Sequence, residues 1–271
     1  MKSNLKSRKK SRHALSPASI FLLAVFGCAI LFMLYFGLFK KPRQRLARAV
    51  QVVSGTMAEP EAGPDSEHQT PSPTATPLPF DPNSWELMLA NANNLLSEDF
   101  APESLTEIAD GQSVDSRIAE PMRALIADAK AAGYTNLYFC SGYRDYDTQY
   151  AIYWNHIWDY MNSGYTQEEA EAMTRLAVNP PGASEHQLGT TADILEYYDQ
   201  DMQPYIGGSG LMLWLEEHCT EYGFIIRYPE DKTAITGVEY EPWHLRYVGV
   251  EAAEYIMENG LCLEEFLDLL K

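Results

Sequence analysis

The sequence predicts an α+β fold for the C-terminal two-thirds of the chain, behind one N-terminal transmembrane helix. Three observations lead there. Helix-period and strand-like segments are mixed without regular βαβ alternation. Glycine stops follow the helical segments closely, as short loops require. A run of 22 uncharged residues, Ala18 to Phe39, stands apart near the N-terminus and is long enough to span a bilayer as a helix.

The elements follow in chain order. Residues 1–17 form a basic tail, and 18–39 read as a transmembrane signal anchor. Basic clusters on both sides of the span give only a slight lean toward a cytoplasmic N-terminus. No small-x-small cleavage site follows the span, so the anchor is expected to stay uncleaved, with a cleaved signal peptide as the other reading. Residues 40–83 hold a Pro-, Ser- and Thr-rich stretch with few apolar residues, expected to be a disordered tether. The folded body is expected over 84–271. Within it, helices are predicted over 116–133, 146–164, 166–178, 209–223 and 250–260, and strands over 137–144, 190–197, 224–228 and 238–248. Thr166 and Glu169 make a capping box.

Charge narrows the function. Eleven of the 20 basic residues lie in the first 50 positions, which hold no acid. The remainder carries 9 basic and all 38 acidic residues, a formal −29. So acidic a body is a poor partner for nucleic acid and is repelled by anionic surfaces.

Two segments carry candidate chemistry. SEHQLGTTADI, 184–194, places His186 and Asp193 on either side of a bend expected at Gly189. EPWHLRYVG, 241–249, adds His244 with Glu241 three residues before it. Two imidazoles, one carboxylate and an open position describe a catalytic zinc site, where bound water ionises near pH 7. Glu241 is the nearest general base. One difficulty arises, because residues 241 and 244 of an ideal strand face opposite ways. A twist or bulge is therefore required there.

Each histidine alone reads more readily as structural. Glu241 could pair with Arg246, and Arg144 with Asp145 or Asp147. His156 and His218 read as surface or packing residues, and the aromatic run 150–160 as core rather than a sugar platform. Cys140, Cys219 and Cys262 cannot all pair internally; a Cys219–Cys262 disulfide is one arrangement.

SGYRDYDTQ (141–149), PPGASEHQLGTTADI (180–194), YGFIIRYPEDK (222–232) and ITGVEYEPWHLRYVG (235–249) together resemble the VanY-like D-alanyl-D-alanine carboxypeptidases. These are zinc metallopeptidases of the Hedgehog/DD-peptidase fold, a small, mostly antiparallel sheet with flanking helices. The resemblance runs in order from about residue 86 to about 262. It implies His186, Asp193 and His244 as zinc ligands, Glu241 as catalytic base and Arg144 as the donor to the scissile carbonyl oxygen. It further implies Ser184 and Gln149 as substrate-lining positions, and Trp243 is expected to wall the pocket. Relatives usually carry alanine where this chain has Thr191, a change expected to touch only local packing.

The implied reaction is removal of the C-terminal D-Ala from a peptidoglycan stem peptide or precursor ending in D-Ala-D-Ala. The implied setting is a bacterial cell membrane, with a single-pass anchor and an extracytoplasmic catalytic domain. Other readings are an L,D-carboxypeptidase or D,D-dipeptidase of the same fold, or a non-catalytic peptidoglycan-binding module. The complete ligand set with Glu241 favours an enzyme, since a binding module needs no base.

Overall fold

The structure, a computed structural model, describes residues 78–197 and 202–271. The basic tail, the expected span at 18–39 and most of the expected tether at 40–83 lie outside these. Among the described residues no helix is long and apolar enough to cross a membrane. Packing begins earlier than Ser84, since the Phe80 ring sits edge-on to Tyr255 and Phe266 at 6.0 and 5.1 Å between centroids.

The first paired element was not expected. Strands β1 (Leu105–Ala109) and β2 (Gln112–Asp115) form an antiparallel hairpin. Asp110 and Gly111 turn it with φ of 55° and 75°, the left-handed pair that an Asp-Gly turn favours. Helix α1 (Ala119–Ala131) buries Met122, Leu125, Ile126 and Ala129, the 3–4 spacing of one helical face. Strand β3 (Leu137–Ser141) leads into α2 (Tyr146–Asn162), capped by Asp145, whose carboxylate accepts from the Thr148 amide. The capping box of Thr166 and Glu169 opens α3 (Gln167–Ala177) as the sequence predicts.

Beyond lie β4 (Thr191–Glu196), α4 (Gly210–His218), β5 (Phe224–Ile226), α5 (Thr233–Thr236), β6 (His244–Tyr247), α6 (Val250–Glu258) and α7 (Leu263–Leu269). The main sheet has order β3-β4-β6-β5 with every pairing antiparallel. Helix α4 is shorter than expected and passes into a 3-10 turn, Cys219–Tyr222. The strand expected over 238–248 is reduced to four residues, because Pro242 and Trp243 form a turn. Ala192 and Ile194 of β4 join Phe139, Leu211, Leu215, Phe224 and Leu245 in the main core. Asp193, between them, faces the other way. A second cluster gathers Ile225, Val248, Ile256, Leu263 and Phe266 under α6 and α7.

Three charges are sealed in the interior, and a fourth, Glu264, is mostly buried beside them. Arg227 Nε donates to Glu185 Oε1 at 2.8 Å, and its two terminal nitrogens grip Glu264 at 2.9 and 2.7 Å. Arg246 Nη1 lies 2.7 Å from the same Glu185 oxygen. Arg246 Nη2 donates to the carbonyls of Glu86 and Met88 at 2.8 and 2.7 Å. Neither arginine nor Glu185 is exposed at all. Such a network ties the N-terminal segment and α7 to the turn bearing His186. Arg246 is thereby committed to Glu185 and is no partner for Glu241.

Removing one member would leave a charge buried and unpaired. Arg227→Met should therefore destabilise the fold by about 3–5 kcal/mol, read from chemical denaturation. The double variant Arg227→Met/Glu264→Met should recover part of that loss.

Candidate metal centre

His186 sits in a 3-10 turn, Glu185–Leu188, that ends at Gly189 in the left-handed region, φ 72°. A Cβ there would approach Pro102 Cγ to 2.8 Å and the Asp115 amide nitrogen to 3.0 Å. The bend expected at Gly189 is thus required twice, by backbone conformation and by space. The chain then reverses into β4 and carries Asp193 back. Strand β6 pairs with β4 so that Asp193 and His244 are direct cross-strand partners. Asp193 Oδ2 lies 3.2 Å from His186 Nε2, and Asp193 Oδ1 lies 3.2 Å from His244 Nδ1.

The orientation of His186 is fixed from behind. Its Nδ1 is 2.7 Å from the Gly142 carbonyl, which can only accept. Nδ1 therefore carries the proton, and the Nε2 lone pair is free on the Asp193 side. Gly142 has no room for a side chain, since a Cβ would sit 2.2 Å from the Ser113 carbonyl oxygen.

Glu241 reaches the same point by a turn rather than a twisted strand. The His244 amide donates to the Glu241 carbonyl at 3.2 Å, closing a four-residue turn with Pro242 second. The ends of such a turn face one another, which resolves the strand-face difficulty. Glu241 Oε2 lies 3.3 Å from His244 Nδ1.

Burial and neighbouring charges together move all four groups away from ordinary behaviour. Burial, with the nearby Arg144 cation, lowers the His186 pKa to about 4, against the pull of Asp193. For His244 burial works the same way, but the Asp193 and Glu241 carboxylates outweigh it and raise the pKa to about 9. Burial also opposes the Asp193 charge, yet the two histidines hold its carboxyl well below the usual range. The Glu241 carboxyl is raised by burial, only partly offset by His244.

These residues face a cavity of about 450 Å³. Arg144 lines it, with Nε donating to Gln149 Oε1 at 3.0 Å and Nη1 to Ser141 Oγ at 2.7 Å. Its Nη1 is 3.6 Å from Asp193 Oδ2. Asp145 caps α2 instead of pairing with Arg144. Ser184 and Trp243 also line the cavity. Gln149 does not, since it is fully buried behind Arg144. His156 is exposed, as expected of a surface residue, and it also borders the cavity beside Ile152 and Tyr160. Ser141, Asn179 and Tyr240 are further wall residues that the sequence does not single out, and Cys140, noted there only as a thiol, joins them. Of the aromatic run, only Tyr153 and Ile157 are core, while Tyr150 and Trp158 are about half exposed. His218 ends α4 and lies 2.8 Å from Glu221. Cys140, Cys219 and Cys262 are free thiols, so no Cys219–Cys262 bridge is formed.

The three proposed ligands fit a zinc ion. Ligands about 2.0–2.1 Å from a tetrahedral centre stand roughly 3.4 Å apart. The His186–Asp193 and Asp193–His244 separations are both 3.2 Å, and the three ligand atoms lie within 4.8 Å of one another. Asp193 Oδ1 is buried without an aligned hydrogen bond, which leaves a lone pair that a metal ion would satisfy.

Fold and site together define a metal-dependent peptide hydrolase with the Hedgehog/DD-peptidase-like fold of small antiparallel sheets and flanking helices. The VanY family profile, described as D-alanyl-D-alanine carboxypeptidase, matches residues 111–250. A D-alanyl-D-alanine carboxypeptidase of Enterococcus faecalis is 40% identical over 191 residues, covering 70% of this chain and 69% of its own length. A crystal structure of the vancomycin-resistance D,D-pentapeptidase VanY with Zn(II) aligns with a TM-score of 0.61 and 40% identity. It covers 68% of this chain and 99% of that one. VanYB in complex with D-alanine-D-alanine aligns with a TM-score of 0.63 and 39% identity, over 69% of this chain and 100% of that one. The chain belongs to the VanY family.

Two measurements follow from this geometry. Gly142→Ala must displace the carbonyl that fixes His186. It should weaken zinc binding by roughly 10–100-fold in competition with a chromogenic chelator. In the metal-free protein His244 holds a proton below pH about 9, and a ligand must give it up. Zinc binding at pH 7 should thus release about one proton, seen calorimetrically in buffers of differing ionisation heat, and the release should disappear above pH about 9.

Proposed function

We propose that this chain is a zinc-dependent D-alanyl-D-alanine carboxypeptidase that removes the C-terminal D-Ala from peptidoglycan stem peptides. The observation that carries the reading is the convergence of His186, Asp193, His244 and Glu241 in one cavity of a VanY-family chain. The zinc in one solved relative and the D-alanine-D-alanine in another support the cofactor and the substrate end.

His186, Asp193 and His244 would hold the ion. Bound there, zinc polarises a carbonyl and makes water acidic enough to attack it near neutral pH. Glu241, buried and raised in pKa, accepts the proton of the attacking water and returns it to the departing D-Ala amine. Arg144 donates to the carbonyl oxygen as that oxygen gains charge, a task suited to a planar guanidinium in a secluded site. Ser184 and Trp243 wall the substrate. One water is consumed, and a shortened peptide and free D-Ala leave.

The placement in the cell belongs to the same proposal. Residues 18–39 are an uncleaved single-pass anchor in a bacterial membrane, preceded by a cytoplasmic tail. The following segment is a tether, and the catalytic domain lies outside. The uncharged 22-residue run and the extracytoplasmic location of peptidoglycan support this.

The test is product identification with the solubilised full chain, zinc, and muramyl pentapeptide or tetrapeptide. D-Ala should leave the pentapeptide alone, and Glu241→Gln should lower kcat by about 10²–10⁴-fold. Tetrapeptide cleavage would make it an L,D-carboxypeptidase, and release of D-Ala-D-Ala a dipeptidase. Inertness of the folded, zinc-loaded protein toward both would leave the binding-module reading.

A further inference from the structure

We infer that Gln149 is a positioning residue for Arg144: it acts from inside the protein to aim the guanidinium and hold it off Asp193. The inference rests on the role just proposed for Arg144, and gives Gln149 a task other than lining the substrate site.

The geometry is closed on every side. Gln149 is fully buried and absent from the cavity wall, so it cannot touch a substrate. Its Nε2 lies 2.7 Å from the Asn179 carbonyl oxygen, which can only accept. That contact fixes which way the amide points. Its Oε1 must then face Arg144 Nε, 3.0 Å away. The glutamine sits in the first turn of α2, whose start is pinned by Asp145. Asn179 is pinned as well. It precedes Pro180, which restricts its backbone, and its Nδ2 donates to the Tyr228 hydroxyl at 3.0 Å. The Tyr228 ring packs on His244 with centroids 4.8 Å apart. A chain of hydrogen bonds thus runs behind the cavity from the ring on one proposed ligand to the guanidinium.

The consequence for Arg144 can be read donor by donor. Nε is spoken for by Gln149 and Nη1 by Ser141. Nη2 has no hydrogen-bond partner among the described residues. The side chain keeps 19% of its surface exposed, on the cavity. Nη2 therefore keeps both of its N–H groups for a substrate oxygen, beside the one that Nη1 has left over from Ser141. Arg144 also stands 3.6 Å from Asp193 Oδ2, beyond the roughly 2.7–2.9 Å of a direct charge-assisted bond. A neutral acceptor behind Nε holds the cation at that distance. Without it, only the Ser141 contact would restrain the guanidinium from the Asp193 carboxylate, and closure onto that charge would turn Nη2 away from the substrate.

The experiment is a double-mutant cycle on the solubilised, zinc-loaded full chain. Gln149→Met keeps the volume and removes both hydrogen bonds. It should lower kcat by about 10–100-fold while KM moves less than about threefold. Binding of a phosphinate dipeptide, which carries its charge where the oxyanion forms, should weaken by a similar factor. In an Arg144→Lys background, which has no Nε–H to donate to Gln149, the same change should cost less than about twofold. A purely structural role would instead multiply in that background.

A second readout does not need turnover. The Arg144 Nε–H resonance, identified by its loss in Arg144→Lys, should exchange with solvent at least about tenfold faster in Gln149→Met. Wild-type kcat and phosphinate affinity in Gln149→Met, multiplicative losses in the cycle, or unchanged Nε–H exchange would each overturn the inference. An inert wild-type enzyme would strike the proposed function, and the exchange measurement would still decide the Arg144–Gln149 contact.

Discussion

The pairing of β4 with β6 is the constraint on which the site depends. Asp193 and His244 meet only because they are cross-strand partners. A slip of one residue would send Asp193 to the other face of the sheet and bring Ala192 or Ile194 to the cavity. The register is defended on both sides. Five of the six β4 residues are buried, so apolar packing penalises any shift. Arg246, two residues past His244, is locked to Glu185, one residue before His186. The sealed charge network therefore aligns the two ligand-bearing segments directly, and the C-terminal helix reinforces it through Glu264.

Around that register the protein builds opposite environments from similar side chains. His186 is held neutral by burial and by the nearby Arg144 cation, with its Nδ1 proton on the Gly142 carbonyl. His244, between two carboxylates, attracts a proton that a metal must displace. Asp193 is kept ionised while Glu241, a few ångströms away, is pushed up. Pushing two carboxylates apart in this way suits one to hold a metal and the other to carry a proton. Arg144 completes the set as a cation restrained short of its nearest anion.

Part of the site is legible in the sequence because two of its turns are local, whereas the cross-strand meeting of Asp193 with His244 is not. Gly189 announces the bend between His186 and Asp193, and Pro242 sits second in the turn that joins Glu241 to His244. The second signal was present but was subordinated to a strand reading, which produced an over-long β6. The β1–β2 hairpin was missed although Asp110-Gly111 is a strong turn signal; its strands are short and only half buried. The charge network was invisible for a different reason. Arg227 is 42 residues from Glu185 and 37 from Glu264, and no periodicity links them. The placement of Gln149 was hidden likewise, because its second partner, Asn179, lies 30 residues on.

The most direct test of the central claim is anomalous diffraction at the zinc edge from crystals of the zinc-loaded protein. The account predicts one strong peak bounded by His186 Nε2, an Asp193 carboxylate oxygen and His244 Nδ1, with Glu241 beside it and outside bonding distance. A peak ligated by other residues, or none at this cluster in zinc-loaded crystals, would contradict it.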